Sequence, residues 1–131
     1  MTDFLADYIR GQNIILKSEG LQKRSYLYLT DAIRGIFYIL IYGNDGEAYN
    51  LASEKNVCQI RNLAEEIASF DSNLKVEYAQ KEENYFRKGS EIMLADVSKL
   101  KALGWKEEID LKKGLSRVIK WIENDNDFFE V

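Results

Sequence analysis

The stretch GLQKRSYLYLTD, residues 20–31, joins a polar loop, a run of strand-forming residues and the start of a helix. Residues 25–29 are rich in β-formers, and so are residues 14–17 on the other side of the loop. The two runs predict a pair of antiparallel strands. Thr30 or Asp31 then offers an oxygen that can cap the helix carrying the apolar run IFYILIY. We expect this helix to be mostly buried.

Further short elements lie on both sides of this stretch. Thr2 can cap an opening helix that Gly11 ends, and residues 47–52 and 74–78 have the pattern of strands. From Asn56 onward, apolar residues recur at helical spacing and predict a helix that contains Cys58.

The last third of the chain shows the same alternation. Residues 80–90 are highly charged and predict a loop, and residues 97–103 predict a short helix that Gly104 ends. Asp110 can cap a final helix with one apolar stripe. Residues 1–131 are therefore predicted to form a single α/β domain, α+β-like in isolation, with about five helices and several short strands.

The composition excludes several classes of function. The net charge of −4 argues against bulk attraction to nucleic acid, and the absence of histidine excludes imidazole-based catalysis and metal binding. The single cysteine, Cys58, cannot form an internal disulfide, and we expect it to serve packing. The longest apolar run has seven residues, far too few to cross a membrane, so we expect a soluble cytoplasmic protein.

Three segments, in order, resemble one known family. They are residues 20–31, the stretch GEAYNLAS at 46–53, and a third that runs from Arg87 through ADVSKL at 95–100 and LGW at 103–105 to Gly114 and Leu115. In this order they are similar to the later half of the extended short-chain dehydrogenases/reductases, the NAD-dependent nucleotide-sugar epimerases and dehydratases. The resemblance covers essentially the whole chain. It implies the C-terminal, substrate-binding part of such an enzyme, without the main Rossmann segment.

The departures from the family pattern concern the chemistry. A glycine-rich turn between a first strand and helix, which would bind a dinucleotide, is absent. The family's tyrosine, followed four residues later by a lysine, is also missing, because Tyr78 and Lys81, like Tyr85 and Lys88, are three apart. We therefore expect no catalytic residue and no bound cofactor in this chain, while NAD is implied for a full-length parent.

Three residues are candidates for binding a nucleotide-diphosphate sugar, the partner that the resemblance implies. Arg24 and Arg87 fall where the family pattern has arginines that bind the diphosphate, and a guanidinium offers planar paired donors to phosphate oxygens. Asn50 could donate its side-chain amide. The alternatives are a solvated hairpin arginine at Arg24, an arginine in a mobile loop at Arg87, and a backbone hydrogen bond for Asn50.

Other polar and aromatic residues have structural interpretations. Asp31 is best explained as a helix cap, and the pairs Glu65/Glu66 and Glu107/Glu108 as solvated surface. The two tryptophans should cover the final helices.

Two functions remain open. The chain is predicted to be the nucleotide-sugar-binding portion of an NAD-dependent epimerase or dehydratase, incompetent alone and belonging to polysaccharide biosynthesis. The alternative is a stand-alone interaction or regulatory domain. The sugar, the base and the reaction, whether epimerisation, dehydration or decarboxylation, stay undetermined. Without a dinucleotide domain, the first helix and the strands should expose apolar surface, so we expect a homo-oligomer.

Overall fold

The computed structural model describes residues 1–79 and 94–124. This part of the chain contains five helices and four strands of three residues each. In chain order they are α1 (Thr2–Ile9), β1 (Ile14–Leu16), β2 (Lys23–Ser25), α2 (Leu29–Tyr42), β3 (Val57–Gln59), α3 (Ile60–Ala68), β4 (Val76–Tyr78), α4 (Ser98–Ala102) and α5 (Leu111–Asn124). The predicted class, α/β with about five helices, is confirmed.

The strands form two separate pairs. β1 runs parallel to β4, with Ile14 opposite Val76, and β2 runs antiparallel to β3, with Arg24 opposite Cys58. The predicted antiparallel pairing of the first two strands is wrong, because each finds its partner much later in the chain. The predicted strand at 25–29 also lies earlier, at Lys23–Ser25, since α2 already begins at Leu29.

The main core lies between the β1–β4 pair and three helices. α1 and α3 pack against β1 and against each other, and α5 packs against α1 and adds its apolar side to the same cluster. The buried members of this cluster are Leu5, Ile14, Leu16, Leu63, Ala64, Ile67, Ala68, Leu74, Leu115 and Ile119. The apolar stripe predicted for the final helix is thus confirmed, and Asp110 caps it by accepting the N–H of Lys113 at 2.8 Å.

The segment between α2 and α3 differs from the prediction. Residues 47–52 are not a strand: Tyr49 accepts the N–H of Asn44 through its hydroxyl, and Asn50 binds the backbone before α4. The strand is instead Val57–Gln59, in the stretch predicted to be helical. The helix starts only at Ile60, whose N–H is bound by the carbonyl of Gln22 at 3.0 Å. The apolar spacing correctly predicted α3, but the predicted helix wrongly included the residues of β3.

α2 is not the mostly buried helix that its apolar run predicts. Only Asp31 and Gly35 are buried on it, whereas most of its large apolar side chains are exposed. A β-carbon at Gly35 would overlap the side chain of Leu51 and lie 3.3 Å from Nε1 of Trp105. The helix therefore packs through its small residues and presents its large ones outward.

Candidate functional site

Arg24 lies on β2 with an exposed side chain. Its guanidinium donates to the carbonyl of Lys23 and to Oε1 of Gln22, both at 3.0 Å. A guanidinium has five N–H donors, so donors remain for another acceptor. These contacts fit an exposed hairpin arginine and leave it able to bind an anion.

Residues opposite and beside Arg24 have altered acidities. Burial raises the pKa of the Cys58 thiol, which keeps it protonated at neutral pH. Burial, together with Cys58, also raises the pKa of Tyr26, while the positive charge of Arg24 opposes that rise. Cys58 lies on β3 rather than on the predicted helix, and it is half-buried against the core, as expected for a packing residue.

Asn50 and Arg87 have different outcomes. The side-chain amide of Asn50 donates to the backbone oxygen of Asp96 at 2.9 Å, so it ties the extended segment to the start of α4. This is the backbone role that was the alternative to ligand binding, although its partner is distant in sequence. Arg87 lies outside the described residues. Within those residues, no hydrogen bond or ion pair joins Arg24 to Asn50.

Asp31 is the centre of a buried polar network that sequence reasoning missed. Its side chain is 1% exposed. Oδ2 accepts the backbone N–H groups of Glu108 and Ile109, both at 2.9 Å, and Oδ1 accepts the guanidinium of Arg34 at 3.0 Å. Its backbone oxygen accepts Nε1 of Trp105 at 3.1 Å. Asp31 is therefore not the predicted helix cap but a clamp between α2 and residues 105–109.

Glu107 and Glu108, both predicted to be solvated, have different environments. Glu108 is exposed and pairs with Arg34 at 2.7 Å. Glu107 is 8% exposed, and its Oε1 accepts the N–H of Lys55 at 2.9 Å. Its Oε2 is buried without a hydrogen-bond partner among the described residues. Trp105 is buried as predicted, whereas Trp121 is 55% exposed.

A second buried network connects β2 to the start of α5. Asn56 donates its side-chain amide to the carbonyl of Ile109 and accepts the N–H of Leu111, both at 2.9 Å. Its own N–H donates to Oγ of Ser53, and Ser53 is linked through its backbone to the hydroxyl of Ser25 on β2. The strand bearing Arg24 is thus held at a fixed place relative to the last helix.

A small crevice of about 60 Å³ lies beside this network. Tyr26, Leu27, Tyr28, Asn56, Asp110, Leu111, Gly114, Leu115, Val118 and Met1 line it. Pockets for small-molecule ligands usually enclose about 300–1,000 Å³. The crevice is therefore too small to enclose a nucleotide sugar.

The described residues do not fit the pyrophosphate of NAD. A dinucleotide cradle needs a glycine-rich turn between a strand and the following helix. Here β3 continues directly into α3, and Gly43 and Gly46 follow a helix. Gly20 lies against the backbone of Arg61 and so serves packing. None of residues 1–79 and 94–124 is assigned to the cofactor.

Residues 1–79 and 94–124 contain no group of side chains able to hold a metal ion. No helix among them is long and apolar enough to span a membrane.

No protein-family model matches the sequence. The chain is nevertheless similar to extended short-chain dehydrogenases/reductases over nearly its whole length, as its motifs predict. It is 27% identical to the dTDP-glucose 4,6-dehydratase of Haemophilus influenzae over 130 residues, which cover 89% of this chain and 37% of that protein.

Solved structures agree with the sequence comparison. The Bordetella bronchiseptica enzyme WbmF, in complex with NADH, matches with a TM-score of 0.74 and 25% identity, over 93% of this chain and 35% of its own. The UDP-glucose 4-epimerase of Thermotoga maritima, solved with UDP-glucose, has a TM-score of 0.71 and 21% identity, over 92% and 38%. In sequence and fold, the chain is thus similar to part of these NAD-dependent enzymes, and it spans less than two fifths of their length.

Proposed function

We propose that this chain is the nucleotide-sugar-binding portion of an NAD-dependent sugar-nucleotide epimerase or dehydratase, and that it is catalytically incompetent alone. The observation that carries the proposal is the coverage: about nine tenths of the chain matches little more than a third of each relative. On this proposal, the glycine-rich turn and the tyrosine–lysine pair lie in the part of the parent that this chain does not match. On this proposal, the matched part is C-terminal and cytoplasmic, and its parent acts in polysaccharide biosynthesis.

Within this proposal, Arg24 binds the diphosphate. Three properties support it: an exposed guanidinium, unused N–H donors, and a strand fixed by the Asn56 network. Arg87 is proposed as the second arginine on the motif alone. Asn50 is a weaker candidate, because its amide already binds the backbone of Asp96.

The experiment is an NMR titration of the labelled chain with UDP-glucose, dTDP-glucose and NAD in turn. The nucleotide sugars should shift the resonances of β2 around Arg24, and NAD alone should not. A charge-assisted hydrogen bond contributes about 1.5 to 3 kcal/mol, so Arg24→Ala should weaken binding roughly ten- to more than hundredfold. The affinity of Arg24→Lys should lie between those of the wild type and Arg24→Ala, since lysine keeps the charge without the planar paired donors. Lys23→Ala is the matched control.

Two results would contradict the proposal. Nucleotide-sugar binding that Arg24→Ala leaves unchanged would remove the diphosphate role from Arg24. Reduced cofactor formed by the purified chain from NAD and a nucleotide sugar would show that the chain carries its own chemistry.

One observation favours the alternative, a stand-alone interaction domain. The outward side of α2 is apolar and is not covered by the described part of the chain. An interaction domain would show no nucleotide-sugar-dependent shifts on β2.

A further inference from the structure

Two arginines of this chain are held by acceptors of different charge. Arg34 donates to the carboxylates of Asp31 and Glu108, so its positive charge is neutralised within the fold. Arg24 instead donates to the amide oxygen of Gln22 and to a backbone carbonyl, both at 3.0 Å and both uncharged. In the described part of the chain, no carboxylate pairs with Arg24. The guanidinium of Arg24 is therefore oriented without losing its charge.

The backbone of Gln22 is itself fixed. Its carbonyl accepts the N–H of Ile60, the first residue of α3, at 3.0 Å. Two residues earlier, the carbonyl of Gly20 accepts the N–H of Arg61, also at 3.0 Å. These two bonds tie the loop before β2 to the start of α3. The half-buried side chain of Gln22 thus presents its oxygen to Arg24 from a well-held position.

The contact with Gln22 leaves Arg24 able to bind a planar pair of anionic oxygens. A guanidinium has five N–H donors, and Arg24 uses one on each terminal nitrogen, so three remain. An arginine that is already ordered loses less side-chain freedom when a ligand binds, which favours affinity. A carboxylate in place of the amide would order the guanidinium equally well, but it would compete with the ligand for the positive charge.

We propose that Gln22 is a positioning residue for the diphosphate site at Arg24. Its neutral oxygen holds one end of the guanidinium and keeps the remaining donors and the whole charge for the phosphate oxygens. Gln22 acts through Arg24 and does not touch the ligand. This role rests on the proposed function, because it takes the diphosphate of a nucleotide sugar as the ligand of Arg24.

The first test measures the affinity for UDP-glucose by NMR titration of two Gln22 variants. Gln22→Ala should weaken binding about two- to fivefold, as expected when one exposed neutral hydrogen bond no longer orders the arginine. Gln22→Glu should weaken it by about tenfold or more, because the new carboxylate pairs with Arg24 and repels the diphosphate. Gln12, an exposed glutamine between α1 and β1, provides the controls. Gln12→Ala and Gln12→Glu make the same changes in size and charge and should leave the affinity unchanged.

A double-mutant cycle tests whether Gln22 acts through Arg24. Lysine at position 24 has no planar guanidinium for the amide oxygen to orient. Gln22→Ala should therefore have little effect on UDP-glucose affinity in the Arg24→Lys background, although it weakens binding in the wild type. An effect on the surface as a whole would be the same in both backgrounds.

Two measurements without ligand separate positioning from folding. NMR relaxation of the Nε–H group of Arg24 reports its motion on the picosecond to nanosecond timescale, and Gln22→Ala should increase that motion. The urea midpoint of Gln22→Ala should equal that of the wild type, because the backbone carbonyl of Gln22 still accepts the N–H of Ile60. A merely structural role would instead lower the midpoint.

The outcomes distinguish this role from the proposed function. If Arg24→Ala loses UDP-glucose affinity while both Gln22 variants keep it, the role of Gln22 is overturned and the proposed function stands. Equal effects of Gln22→Ala in the two backgrounds, or unchanged motion of Arg24, would overturn it as well. A wild type that does not bind UDP-glucose, or binding that Arg24→Ala leaves unchanged, would contradict the diphosphate site itself and the role of Gln22 with it.

Discussion

Asp31 provides the sharpest test of the fold, because its one buried carboxylate connects α2 to the backbone of Glu108 and Ile109. Replacing it with alanine leaves two backbone N–H groups, those of Glu108 and Ile109, without their acceptor. Each unsatisfied buried group costs about 1–3 kcal/mol. Arg34 is 35% exposed and keeps Glu108 as a partner, so its loss is smaller. We therefore expect Asp31→Ala to lower the free energy of unfolding by about 2–6 kcal/mol, mainly through the two N–H groups that lose their acceptor.

Asp31→Asn separates the contribution of the acceptor oxygen from that of the negative charge. Asp31→Asn keeps an acceptor oxygen for the two N–H groups but loses the charge, and charge-assisted hydrogen bonds are roughly twice as strong as neutral ones. Its expected loss is about 2 kcal/mol. The control is Glu108→Gln, which removes the other carboxylate on Arg34. Glu108 is 64% exposed, so this change should cost at most about 1 kcal/mol.

Urea unfolding followed by circular dichroism measures all three variants. One fixed, low protein concentration is needed, because any dimer would add a concentration-dependent term to the stability. A loss below about 1 kcal/mol for Asp31→Ala would refute the clamp. So would a loss equal to that of Glu108→Gln.

Two further predictions concern a glycine and a tyrosine. Gly20 has a φ of 62°, and a β-carbon there would lie 2.9 Å from the backbone nitrogen of Arg61. Gly46 also has a positive φ, but nothing lies within 4 Å of a β-carbon there, so Gly46→Ala should lose only the roughly 1–2 kcal/mol of left-handed backbone strain. Gly20→Ala should lower the free energy of unfolding by more than that. Equal urea midpoints for the two variants would contradict this prediction. Burial of Tyr8 and its hydrogen bond to Glu123 raise the pKa of its hydroxyl to about 12. The folded state thus keeps a proton that the unfolded state loses near pH 10, so this contribution is complete below that pH and is lost towards pH 12. Between pH 10 and pH 12, the free energy of unfolding of the wild type should fall more steeply with pH than that of Tyr8→Phe. Equal slopes for the two proteins would argue against the hydrogen bond between Tyr8 and Glu123.

Local signals in the sequence predicted the elements that depend on local physics. The final helix followed from one apolar stripe and a capping aspartate, and both are present. The helix that ends before Gly104 followed from glycine in a left-handed turn, where its φ is 96°. Such features depend on residues within one or two turns of each other, so they can be predicted from a single sequence.

Pairing between distant segments could not be predicted in the same way. β1 is joined to β4, which lies 62 residues further on, and three-residue strands have too little periodicity to reveal their partner. Val57 and Ile60 fit the spacing of one helix, although a strand holds the first and a helix the second. Only the pairing of Val57 with β2 distinguishes the strand residue from the helix residue.

For the candidate site as well, local features could be predicted and contacts between distant residues could not. The motif placed Arg24 at a loop–strand junction, and the structure has it on an exposed strand. The role of Asp31 was not predictable from its position, because its partners Glu108 and Ile109 lie 77 and 78 residues away. A buried acceptor for two backbone N–H groups has no local sequence signal.

α2 shows why hydrophobicity alone misleads about burial. Its sequence is apolar around most of the helix, which is typical of a helix covered on all sides. In the described structure, one side packs through Asp31 and Gly35. The missing side chain of Gly35 leaves room for Leu51 and Trp105, and the backbone oxygen of Asp31 accepts a hydrogen bond from Trp105. The other side keeps its large side chains outside. A large apolar surface is stable in water only when something covers it, and the described residues do not cover the outward side of α2.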